Sequence, residues 1–149
     1  MENLESQTLE RIKEKLPRPY YLVDDSITVE VNDKVLGLEA NAVFPSEDPD
    51  IVDRVNHVNM GSHLFAGWNA AAILCALAGY ESPRATHAEI SATKRTEPDE
   101  IVHLKATGEI LEETEKLVRG KFLVVFTNQE GSILETVTSE FSALKRQEN

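Results

Sequence analysis

Eighteen consecutive residues without a charged side chain, HLFAGWNAAAILCALAGY at 63–80, constrain this chain more than any other feature. No Asp or Glu occurs from Arg54 to Tyr80. The spacing predicts a helix over Leu64–Ala78, with Ser62 as N-cap and Gly79 at its end. A helix that is apolar all round is expected to be buried on every side. Its small residues, Gly67, Ala70, Ala71, Ala72, Ala76 and Ala78, let a sheet come close. The rest of the chain must therefore supply a wrapping.

What surrounds the segment alternates with period two. Ile27, Val29 and Val31 alternate with polar residues, Asn32-Asp33 reads as a turn, and Val35–Phe44 resumes extended structure, giving a hairpin. Residues 86–144 read as antiparallel strands: Ala88–Arg95, Ile101–Leu111, Leu117–Thr127 and Ile133–Leu144, with Asn128–Gly131 as a hairpin turn. Pro45–Asp53 is an acidic loop. Residues 1–16 form an N-terminal amphipathic helix ended by Pro17 and Pro19. The order predicts an α+β fold in which a curved antiparallel meander wraps a central apolar helix, residues 63–80, within one domain spanning 1–149.

Charge and composition narrow the function classes. A formal net charge of -11 argues against nucleic acid as partner, since phosphate binding needs a basic face. The single cysteine, Cys75, rules out an intrachain disulfide and a cysteine-rich zinc site. The charged N-terminus shows no signal-peptide pattern, and no apolar run is long enough for a membrane span, so the expected location is cytoplasmic.

The helix after a His/Asn/Gly loop (NHVNMGSHLFAGWN) and the tail EISATKRTEPDEIVHLKATGEI…KLVRGKFLVVFTNQEGSILETVTSEFSAL resemble the hotdog-fold acyl-thioester superfamily over Tyr20–Leu144. Within it, Pro19-Tyr20 and Trp68-Asn69-Ala70 are most similar to the long-chain fatty acyl-CoA thioesterase (FcoT-like) family. The resemblance implies hydrolysis or binding of fatty acyl thioesters of coenzyme A or acyl carrier protein, in a homodimer or dimer of dimers, without a cofactor. A catalytically inactive acyl-thioester-binding or regulatory protein is the alternative. One departure matters: the helix has Ala71 or Ala72 where the dehydratase glutamate would fall. That argues against dehydratase chemistry and against the usual helix carboxylate as the hydrolytic base.

A neutral site is therefore expected. Asn69, His57 and His63 are the catalytic candidates: the amide to hold a carbonyl or water, either imidazole as base. Gly67 and Trp68 are placed at the helix N-terminus, where free N–H groups would stabilise an oxyanion. Tyr20 and Asn59 are assigned to substrate binding, and Lys94 and Arg95 to the nucleotide phosphates. The His57-x-Asn59-x-Gly61-x-His63 spacing invites a metal, but no carboxylate or thiolate stands nearby to complete a shell. No nucleophile elbow supports a Ser-His-Asp triad. Cys75, among apolar neighbours, reads as a core thiol.

Overall fold

Alternation dictates the sheet. Val102, Leu104 and Ala106 are buried, while Lys105 and Thr107 on the alternate positions are exposed. Val118, Phe122, Val124 and Phe126 repeat the pattern on the next strand. Each strand thus has one apolar face that must meet an apolar partner. The computed structural model describes residues 1–16, 18–48, 58 and 60–147, and shows how that demand is met.

The elements in chain order are β1 (Glu2–Asn3), α1 (Ser6–Lys13), β2 (Thr28–Val31), β3 (Leu36–Ala42), α2 (Met60–Leu77), β4 (Tyr80–Ala92), β5 (Val102–Glu113), β6 (Leu117–Thr127) and β7 (Ile133–Lys145). The strands form one seven-stranded sheet in the order β1-β2-β3-β5-β6-β7-β4, antiparallel at every pairing. The sheet curves around α2, whose Ala66, Ala70, Ile73, Leu74 and Cys75 are completely buried. Among the described residues, no helix is long and apolar enough to cross a membrane.

Turn chemistry agrees with the expected hairpins. The Asn32 side-chain oxygen accepts from the N–H groups of Lys34 and Val35, closing the β2–β3 turn. Asn128 does the same for Glu130 and Ser132, and Gly131 takes the positive φ, 84°, that this turn needs.

Three expectations change. The central helix is Met60–Leu77, beginning before Leu64. It is not buried all round: Phe65 is 46% exposed, because the sheet covers only one side of it. And the strands after α2 are not one meander. β5, β6 and β7 are consecutive neighbours, but β4 crosses to the far edge and, among the described residues, pairs with β7 alone. β4 also starts at Tyr80, well before Ala88. Its register shifts at Glu81/Arg84 and Ala85/His87, and it is largely exposed, so it lacks the alternation by which a buried strand is recognised.

The core closes tightly where two glycines face aromatic rings. A Cβ on Gly108 would lie 2.6 Å from Phe122 Cε1; one on Gly120 would collide with the Glu109 carbonyl oxygen and lie 2.8 Å from Phe141 Cε1. The Phe122 and Phe141 rings pack with centroids 4.9 Å apart across this gap. Gly120→Ala is expected to cost about 1–3 kcal/mol by overpacking, lowering the melting temperature by roughly 3–10 °C; a thermal melt checks it. Cys75 is wholly buried, and burial pushes its thiol pKa up to about 12. The native protein should therefore leave a thiol reagent untouched at pH 8 and react with it only when unfolded.

Candidate active site

His63 lies in the first turn of α2 on the side facing the sheet, and is 1% exposed. Its Nδ1 is 2.7 Å from Glu135 Oε2 of β7, and its Nε2 is 2.7 Å from the hydroxyl of Thr96, in the segment after β4. Phe44 packs against the imidazole with centroids 4.8 Å apart, and Phe126 meets it edge-on at 5.0 Å. Glu135 and Thr96 are as buried as His63.

The sheet builds this arrangement. Glu135 shares the inward parity of Val137, Ser139, Phe141 and Ala143, all buried. Leu134 O accepts two N–H groups, Thr93 at 2.8 Å and Lys94 at 3.1 Å, which ties the end of β4 to the residue next to Glu135. The Val58 N–H donates to Thr96 O at 3.0 Å, holding the other side of the Thr96 segment near the start of α2.

Nδ1 and the Glu135 carboxylate stand within ion-pair distance but outside hydrogen-bonding geometry, and Glu135 Oε1 has no hydrogen-bond partner among the described residues. Nε2 and the Thr96 hydroxyl share one hydrogen bond, whose donor depends on the imidazole tautomer. The result is a buried row of hydroxyl, imidazole and carboxylate, the three group types of a hydrolase triad. It is assembled from residues 63, 96 and 135, on a helix, a loop and a strand.

Thr96 and Glu135 are the members that sequence reasoning missed. One signal was available: Glu135 is an acidic residue in phase with the apolar face of a strand. Nothing in the local sequence marks Thr96. The helix carboxylate is indeed missing, but a strand supplies one to the same imidazole.

The other candidates disperse. His57 and Asn59 lie outside the described residues. Gly67 and Trp68 fall more than a turn beyond the start of α2, where backbone N–H groups bond within the helix. Neither residue stands at the helix N-terminus, which lies at Met60. A Cβ on Gly67 would meet Val124 at 3.5 Å, so this glycine faces β6. Trp68 is on the opposite side of the helix from His63.

Tyr20 donates its hydroxyl to Asp24 at 2.7 Å, and Lys13 lies over its ring at 4.6 Å. Burial, then the Asp24 hydrogen bond and charge, raise the Tyr20 pKa well above the ordinary phenol value. Lys94 and Arg95 are exposed and immediately precede Thr96 in the chain.

Asn69 has backbone partners. Its Oδ1 accepts the Tyr21 N–H at 3.2 Å and its Nδ2 donates to Pro19 O at 3.3 Å. These bonds join the two motifs Pro19-Tyr20 and Trp68-Asn69-Ala70 in space. Tyr21 in turn stacks on Phe44, which touches His63. Asn69→Ala is expected to cost about 1–3 kcal/mol by stranding those backbone groups. Melting temperature and activity per folded molecule, measured on one preparation, separate that loss from any contact with substrate.

No protein-family model and no curated protein matches the chain in sequence. Solved structures match it in shape. The thioesterase-assigned protein yhdA of Lactococcus lactis superposes with a TM-score of 0.64 at 13% identity, covering 86% of this chain and 94% of that one. The PaaI protein from the phenylacetic acid degradation operon of E. coli gives 0.57 at 13% identity, over 77% of this chain and 81% of PaaI. A hypothetical thioesterase from Streptococcus pneumoniae, solved with coenzyme A, gives 0.56 at 15% identity, over 81% and 88%. With the seven-stranded curved sheet and its enclosed helix, these likenesses establish that the chain adopts the hotdog fold.

Proposed function

We propose that this protein hydrolyses acyl thioesters of coenzyme A, with His63 as the proton acceptor. The observation that carries the reading is the buried Thr96–His63–Glu135 line at the start of α2. In the proposed reaction a water bound to Thr96 Oγ1 attacks the thioester carbonyl. Its proton passes to Thr96 as the threonine proton moves to His63 Nε2, and Glu135 stabilises the imidazolium. The N-terminal turn of α2, which begins at Met60, is the proposed source of N–H groups for the developing oxyanion. Collapse of the tetrahedral intermediate expels the thiolate, which takes the proton from the imidazolium.

Coenzyme A as carrier is supported by the Streptococcus pneumoniae neighbour, described with it bound, and by Lys94 and Arg95 beside Thr96. Acyl carrier protein is the alternative carrier. A fatty acyl preference rests on the FcoT-like motifs Pro19-Tyr20 and Trp68-Asn69-Ala70. A homodimer, or a dimer of dimers, is proposed through β4, a thirteen-residue strand paired on one side only. The nearly complete burial of Thr96 and His63 favours a second reading, in which the line only stabilises the core of an acyl-thioester-binding protein.

Thiol release across acyl-CoA chain lengths, with direct binding measured in parallel, tests both. His63→Ala is expected to lower turnover by about 10²–10⁴-fold. Glu135→Gln keeps the shape but removes the charge that supports the imidazolium, so kcat should fall by at least about 10²-fold with KM little changed. Thr96→Val should behave like His63→Ala. Binding by the wild type with no turnover at any chain length would establish the second reading instead.

A further inference from the structure

We propose that the cleft roofed by α1 is a separate binding site for a free medium-chain carboxylate. A cavity of about 860 Å³ opens between α1, the outward side of α2 and the start of β4. That is within the usual range for a small-molecule site. Its floor is a single stripe of α2, Trp68, Ala72 and Ala76, spaced four residues apart. Trp68 is five residues beyond His63, about 140° around the helix, so the stripe looks away from the Thr96–His63–Glu135 line. The cleft therefore stands whether or not that line hydrolyses thioesters.

The chemistry of the walls selects the ligand. Ile12 and Leu16 from α1 and its following turn, with Tyr80 of β4, continue the apolar lining. The two alanines leave room along α2 for an apolar chain to lie against the helix. From Trp68 to Ala76 the trough runs about 12 Å, matching an extended chain of about ten carbons. The rim is cationic: Arg11, Lys15 and Arg146. Arg146 is held by Glu81 at 3.2 Å, but Arg11 and Lys15 are exposed and make no ion pair among the described residues. Lys13, which does not line the cleft, is by contrast taken by Asp24 at 2.7 Å. Glu81 also lines the cleft and offsets Arg146, so Arg11 and Lys15 are the two cations left for an anionic head, on a chain of net charge -11.

Trp68 is the only tryptophan in the chain, so its fluorescence reports the cleft directly. Titrations with octanoate, decanoate, dodecanoate and palmitate, each below its micellar concentration, should give saturable changes with affinity rising up to about ten to twelve carbons. Dodecanol should bind at least tenfold more weakly than dodecanoate. Arg11→Glu/Lys15→Glu changes exposed positions only, so the fold should persist; dodecanoate affinity should fall at least tenfold and the preference over dodecanol should vanish. Ala76→Phe should fill the trough and abolish the response, with a thermal melt confirming that the variant is folded. The proposal is overturned by no saturable change at any chain length, by equal affinity for acid and alcohol, or by unaltered binding in the charge-reversed variant.

Discussion

The contact between His63 and Glu135 is the interaction on which the rest depends. α2 carries no charge from Met60 to Leu77, and much of its sheet-facing side is alanine, glycine and small aliphatic residues. Hydrophobic burial seats such a helix firmly but is non-directional, so it leaves rotation and sliding weakly specified. The imidazole and the carboxylate are both lost to water, and each is affordable only opposite the other. That requirement sets which side of the helix meets the sheet, and where along it.

Much of the fold was legible because burial writes a period into the sequence. β6 occupies Leu117–Thr127 as expected, and β5 and β7 differ from expectation by a residue or two at their ends. The fold class followed from one uncharged helix that needed a wrapping. β4 was misread because an edge strand with two bulges carries no apolar alternation, and its place beside β7 depends on tertiary pairing. The start of α2 was set too late because the polar residues before Leu64 looked like loop, whereas the polar side chain of His63 is matched by a partner 72 residues further along the chain.

Of the three residues of the candidate site, one was legible. His63 stood out as one of two imidazoles before an apolar helix. Thr96 and Glu135 lie 33 and 72 residues away, and only the sheet brings them to it. Asn69 was expected to hold the substrate carbonyl or a water; in the structure its amide is bonded to backbone. Its partners are the backbone of Pro19 and Tyr21, so the same residue also explains how the N-terminal segment is fastened to α2.

The carbonyl of Leu134, shared by the N–H groups of Thr93 and Lys94, has a mechanical consequence. It makes the approach to Thr96 and the strand bearing Glu135 parts of one body, while His63 belongs to another. Fraying at the outer edge of β4 carries hydroxyl and carboxylate along together. Sliding of the helix against the sheet does not: one residue of travel is about 1.5 Å, which shifts the imidazole relative to both of its 2.7 Å neighbours. The spacing of Thr96, His63 and Glu135 thus registers where α2 sits on the sheet.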